Sequence, residues 1–215
     1  MIDKKKSISV IGLGYIGLPT AALLASKGYM VKGMDINKYA VETINKGQIH
    51  IVEPELDTYV QSAVASGKLK AYSEVQPGDV YIICVPTPFH ADSKLPKPNI
   101  DYVIDAAKSI SPLVKPGDIV ILESTSPVGT TEIIRDVLKE CGVDTDSIFM
   151  AYCPERVLPG RVMVELADNA RVIGGINSQS TEIISAFYTT FVNGRIVKTE
   201  AKTAEMCKLT ENSFR

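Results

Sequence analysis

The sequence predicts an α/β fold built on a doubly wound parallel sheet. Three observations carry that expectation. Short apolar runs alternate with helical patterns along the whole chain, as in successive βαβ units. The runs DVYIICVP and DIVILES are apolar on nearly every residue, as strands buried on both faces must be. Each of the two is launched by the same kind of turn, QPGD before one and KPGD before the other.

The elements follow in order. SISVIG reads as a first strand and YIGLPTAALLASKG as the helix after it. YMVKGMD is a second strand, followed by helices over about Asn37 to Lys46 and Glu55 to Ala65. KLKAY is a short third strand. Helices over about Tyr102 to Leu113 and Thr130 to Cys141 flank DIVILES, and SIFMAYCP is a sixth strand. RVIGG, a helix over Ser180 to Phe191 and RIVKT suggest one more βαβ-like extension, and a final helix starts near Lys202. The Pro-rich, polar stretch PTPFHADSKLPKPNID is the one long loop, the kind that more often serves function than connection. Residues 1–200 are expected to form one domain, with 201–215 the start of a long connecting helix.

The 215 residues, 45% hydrophobic and 22% charged, suffice to bury a core. A net charge of −2 and a pI near 5.8 argue against nucleic acid or an anionic membrane as the main partner. No apolar run reaches about 18 residues, and MIDKKKSISV passes from a short charged lead directly into a strand. Cys84, Cys141, Cys153 and Cys207 show neither metal-ligand nor disulfide spacing. The expectation is a cytoplasmic, reduced protein without structural metal.

Gly12, Gly14 and Gly17 form G-x-G-x-x-G between the first strand and its helix, and Asp35 closes the second strand about 20 residues later. Gly12 permits the tight turn, and Gly14 lets backbone approach a pyrophosphate. Gly17 lets helix and strand pack closely, with the helix N-terminus facing the anion. The Asp35 carboxylate suits ribose hydroxyls and repels a 2′-phosphate, so a Rossmann-type NAD site is expected, with Lys38 the nearby base that could serve a phosphate. Tyr15 and Ile16, between the glycines, either cover the cofactor or pack helix on sheet. At the other end of the chain Lys208, Asn212 and Arg215 share one helical face, open to a ligand or to water.

VIGLGYIGLP, CVPTPF, ESTSPVGTTE, AYCPERVLPG and TAEMCKLTENSFR occur in the order found in the UDP-glucose/GDP-mannose dehydrogenase family, which the chain resembles over essentially its whole length. INKGQIHIVEPEL, CPERVLPG and AEMCKLTENSFR look most like the branch that oxidises UDP-N-acetyl-D-mannosamine, with UDP-glucose the alternative substrate. The resemblance implies oxidation of a sugar C6 alcohol to a carboxylate with two NAD, and homodimers in the complete enzyme. A non-catalytic NAD-binding module is the reading from a different class.

By that resemblance Thr87 touches the nicotinamide half of the cofactor, Thr125 stands near the reacting carbon, and Thr131 faces the cofactor. Thr125 and Thr131, both in ESTSPVGTTE, also suit capping or turn bonding. Glu155 matches a family acid that serves as base or positions water. The family's second acid is replaced here by Pro159, so no role carries over for it. Arg156 and Val157 resemble the substrate-contacting pair of the mannosamine branch. Lys208 matches the active-site lysine that stabilises an oxyanion, Asn212 its partner, and Arg215 a substrate ligand. Read without the family, Glu205, Lys208, Glu211 and Arg215 make an equally plausible solvated ladder of ion pairs along the helix. The family's nucleophile is a cysteine in a glycine-rich motif beyond the final helix, and none of the four cysteines here fits it. The chain alone is therefore expected to bind NAD without completing the oxidation, the UDP-binding domain with its cysteine lying outside it.

Overall fold

A computed structural model describes residues 6–90 and 96–214. Its centre is an eight-stranded sheet in the order β3-β2-β1-β4-β5-β6-β7-β8. The strands are β1 (Ser7–Ile11), β2 (Met30–Met34), β3 (Leu69–Tyr72), β4 (Val80–Ile83), β5 (Ile119–Leu122), β6 (Phe149–Tyr152), β7 (Arg171–Gly175) and β8 (Ile196–Glu200). The chain winds outward from β1 in one direction to β3, then crosses back to β4 and winds the other way. That reversal between β1 and β4 opens a crevice at the carboxyl ends of the strands.

Strand residues alternate between two buried faces. Ile8 and Val10 of β1, Val80 and Ile82 of β4, and Ile119 and Ile121 of β5 belong to one core, which α1 (Gly17–Ser26), α2 (Lys38–Asn45), α3 (Leu56–Ala65), α6 (Val162–Asp168) and α7 (Ser178–Tyr188) cover. Ile11, Tyr81, Ile83, Val120 and Leu122 point the other way, under α4 (Asp101–Ile110), α5 (Thr130–Glu140) and α8 (Ala201–Phe214). This double burial is why the central runs are apolar on consecutive residues. Helix α1 is buried along nearly its whole length, against the sheet and under α3 and α6.

Three features depart from the sequence reading. The first helix begins at Gly17, because the preceding glycines are occupied in the turn. Strand β7 runs antiparallel to β6, while β7 and β8 are parallel to each other, so the last βαβ unit is attached to the sheet upside down. Helix α6 is an additional element. It has no local N-cap; instead the buried Glu53 carboxylate accepts hydrogen bonds from the Gly160 and Val162 amides at its start. A cap supplied from more than a hundred residues away leaves no local signature. Helix α7 starts at Ser178, where the Asn177 side chain accepts a hydrogen bond from the Ser180 amide. No helix of the described residues is long and apolar enough to cross a membrane. The long Pro-rich loop lies partly outside the described residues.

Candidate active site at the carboxyl edge of the sheet

The glycine turn after β1 is set by steric necessity. Gly12 has φ +89°, and a Cβ there would stand 2.8 Å from the Cys84 carbonyl oxygen of β4's extension. A Cβ on Gly17 would collide with the carbonyl of Gly12, so α1 can approach β1 only through a glycine. Gly14 differs: nothing lies within 4 Å of where its Cβ would be, and it borders an open cleft. That exposed backbone, beside the α1 N-terminus, fits a pyrophosphate. Asp35 at the end of β2 accepts hydrogen bonds from the Leu13 amide through Oδ2 and the Asn37 amide through Oδ1, both at 2.8 Å. The carboxylate is thereby fixed at the rim of the same cleft with acceptor capacity left for ribose hydroxyls.

The cleft has a volume of about 930 Å³. It brings together Gly12, Gly14, Tyr15, Ile16, Asp35, Thr87, Thr125 and Glu155, eight of the residues singled out from sequence. Thr87 spans its floor, donating a hydrogen bond to the Thr125 carbonyl at 2.5 Å and tying the loop after β4 to the loop after β5. Tyr15 is exposed at the mouth, whereas Ile16 packs partly against the core.

Beneath the floor lies a buried polar knot that sequence reading did not single out. Glu123, 1% exposed at the end of β5, accepts hydrogen bonds from Tyr188 Oη at 2.6 Å, Thr20 Oγ1 at 3.2 Å and Cys84 Sγ at 3.4 Å. The fully buried Arg171 stacks its guanidinium 5.7 Å from the Tyr188 ring centroid. It donates to the carbonyls of Pro154 and Leu166, which steadies the segment carrying Glu155. Burial first, and the Glu123 charge second, push the Cys84 thiol well above its ordinary range. Burial pushes Cys153 up to about 12. Neither thiol is an activated nucleophile.

Helix α8 closes the site with a row of ionic side chains, one committed to the loop after β5 and two to the loop after β6. Glu205, fully buried, accepts from the Gly129 amide at 2.5 Å, the Thr131 amide at 2.8 Å and the Thr131 hydroxyl at 2.7 Å, capping α5 from outside it. Lys208, 4% exposed, donates to the Glu155 carbonyl and to Glu155 Oε1, each at 2.8 Å. Glu211 receives both Arg156 Nε at 2.8 Å and Arg156 Nη2 at 3.2 Å. The ladder read from spacing also takes in Arg215, outside the described residues, whereas the hydrogen bonds of Glu205, Lys208 and Glu211 given above run to the loops after β5 and β6. Thr131 does not line the cleft, its hydroxyl being taken by Glu205. Val157 is buried, with its amide donating to Glu155 Oε2. Asn212 is exposed on α8, and Arg215 lies outside the described residues. No cluster of potential metal ligands occurs among the described residues.

Residues 6–192 match the UDP-glucose/GDP-mannose dehydrogenase family, NAD binding domain. Over 98% of its length the chain is 54% identical to UDP-N-acetyl-D-mannosamine dehydrogenase of Yersinia pestis, covering 51% of that protein. It is 52% identical to NDP-N-acetyl-D-galactosaminuronic acid dehydrogenase of Ralstonia nicotianae, again over 98% of this chain and 51% of the relative. The structure of the UDP-N-acetyl-mannosamine dehydrogenase from Staphylococcus aureus superposes with a TM-score of 0.91 at 41% identity, over 97% of this chain and 51% of that one. The chain spans about half the length of the curated relatives it matches.

Proposed function

Because this chain belongs to the UDP-glucose/GDP-mannose dehydrogenase family, as its NAD-binding domain, we propose that it is the cofactor half of an NAD-dependent nucleotide-sugar 6-dehydrogenase. The substrate we assign is UDP-N-acetyl-D-mannosamine, oxidised at C6 to the carboxylate with two NAD. The observation that carries the reading is the Lys208–Glu155 pair, buried at the edge of the glycine-loop cleft. A buried cation at that edge suits the charge that develops on a substrate oxygen there, which supports an enzyme over a cofactor-binding module without chemistry.

Bound NAD would supply the hydride acceptor, and this chain's residues would hold it and act on the sugar's C6 oxygen. The glycine-turn backbone and the α1 N-terminus would hold the pyrophosphate, and Asp35 would hold the adenosine ribose. Lys208 offers a charged donor to the C6 oxygen as negative charge develops on it, and Glu155 sets the lysine's position and accepts a proton. Thr125 and Asn212 flank the reacting carbon, and Thr131 supports the cofactor loop from behind. Arg156, Val157 and Arg215 contact the sugar nucleotide, with Arg156 released from Glu211 to meet it. The nucleophilic cysteine and the UDP-binding domain come from sequence outside this chain. The exposed Met206 and Phe214 on the outer side of α8 support a homodimer assembled along that helix. A UDP-sugar substrate and a free NAD pool suit a cytoplasmic enzyme that supplies a uronate for surface polysaccharide.

The similarity to a galactosaminuronic acid dehydrogenase makes UDP-N-acetyl-D-galactosamine a second candidate beside UDP-glucose. The test is to assay the complete enzyme and this chain alone on all three sugars by NADH formation. The expected result is turnover by the complete enzyme, fastest with UDP-N-acetyl-D-mannosamine, and none by the chain alone. Clear preference for either other sugar, or full oxidation by the chain alone, contradicts the proposal.

A further inference from the structure

The cleft has an unusual charge balance for a site that takes an anionic dinucleotide. Asp35, Asp105, Glu123 and Glu155 line it, and no lysine or arginine does among the described residues. These four acids are not equivalent. Asp35 stands at the β2 end, on the adenosine side. Asp105 is exposed on α4 and screened by water. Glu155 is neutralised by Lys208. Glu123 is left: nearly fully buried, at the carboxyl end of β5, and without a salt bridge among the described residues.

Its three partners are hydroxyl and thiol groups, Tyr188, Thr20 and Cys84, converging on a side chain that as a carboxylate can only accept. A buried cation, Arg171, stands over the Tyr188 ring and donates to the carbonyls of Pro154 and Leu166. Its attraction to Glu123 offsets that charge in part.

In a sheet of this order the adenosine half of a dinucleotide lies toward β2 and the nicotinamide half over the ends of β4 and β5. The buried carboxylate therefore sits under the ring that carries a positive charge in NAD⁺ and none in NADH. In a poorly screened site that difference is felt strongly. We infer that Glu123 makes this site discriminate between the redox states of its cofactor, favouring NAD⁺ and weakening retention of NADH. The inference rests on the assignment of the cleft to NAD. An enzyme that takes up two NAD⁺ for each sugar has to exchange its cofactor between oxidations, and such a bias drives that exchange in the forward direction. Glu123 is a specificity-determining residue in this sense and takes no proton in the reaction.

The experiment is calorimetric titration of the chain with NAD⁺ and with NADH, for the wild type, Glu123→Gln and Glu123→Asp, with thermal melts as the check on folding. Glu123→Gln removes the charge and keeps an acceptor for Tyr188, whereas Glu123→Asp keeps the charge and disturbs the hydrogen bonds. The expected result is that the wild type binds NAD⁺ more tightly. The ratio of the two dissociation constants should fall about tenfold in Glu123→Gln and stay within about twofold of wild type in Glu123→Asp. A purely structural role moves both nucleotides together and leaves the ratio unchanged, which overturns the inference. So does a wild type that binds NADH as tightly as NAD⁺, a result that needs no variant to fold. A wild type that binds neither nucleotide refutes the cofactor assignment itself.

Discussion

Lys208 Nζ lies 2.8 Å from both the carbonyl oxygen and Oε1 of Glu155, a residue 53 positions earlier in the chain. The lysine side chain is 3% exposed and that of the glutamate 14%. A pair this dry is held by geometry and not by general attraction, since removing one partner strands the other's charge. Lys208→Met is therefore expected to destabilise the domain by about 2–4 kcal/mol in urea unfolding. In the complete enzyme it should lower kcat by about 10²–10³ with little change in NAD affinity. A weakened NAD affinity with unchanged kcat at saturating NAD would place the lysine on the wrong half of the site.

The glycines of the turn separate by what surrounds them. Gly14→Ala meets open space, so the domain should melt within about 2 °C of wild type while its NAD affinity falls at least about tenfold, the added methyl occupying the pyrophosphate's approach. Gly17→Ala meets the Gly12 carbonyl and should fail to give folded protein. Circular dichroism melts and NAD titration of the two variants check this contrast.

Glu205 accepts three hydrogen bonds at the start of α5 while fully buried. Glu205→Ala leaves the Gly129 and Thr131 amides without acceptors and should cost about 2–3 kcal/mol, measured by chemical unfolding. Glu205→Gln should recover part of that loss, because its carbonyl still accepts one of the bonds.

Thiol reactivity gives a pH-dependent test. Cys141 and Cys207 are exposed, Cys153 is buried and Cys84 half-buried. Burial pushes Cys84 well above its ordinary range and Cys153 to about 12, so neither forms thiolate in the folded state as pH rises from 7 to 9. Iodoacetamide labelling followed by intact mass should add two groups under native conditions across that range, and four in guanidinium. A group whose folded pKa is raised contributes stability that is lost as pH climbs toward that pKa. The two thiols should accordingly become accessible only when alkali begins to open the fold.

Most of the sheet was legible because strands buried on both faces must be written as consecutive apolar residues, and the glycine turn because no other residue fits it. What was not legible depends on partners far along the chain. Helix α6 is capped by Glu53, and the reversed direction of β7 follows from packing that no local pattern records. Glu205, Lys208 and Glu211 have the spacing of an exposed ion-pair ladder, yet each bonds to a distant loop. Glu123 had a signal: like Asp35 it is an acid ending an apolar strand run, and an acid there sits at the carboxyl edge where ligands bind. Family likeness put Glu155 and Lys208 each in the site, but their pairing with one another was not legible, since nothing in either segment alone names the other.

The central claim is that the cleft beside Gly14 and Asp35 binds NAD. Calorimetric titration of this chain with NAD⁺ and NADP⁺ tests it most directly. The account predicts saturable binding of NAD⁺ at one site per chain, at least about tenfold tighter than NADP⁺, because the fixed Asp35 carboxylate repels a 2′-phosphate. No saturable binding of NAD⁺, or equal affinity for the two nucleotides, contradicts it.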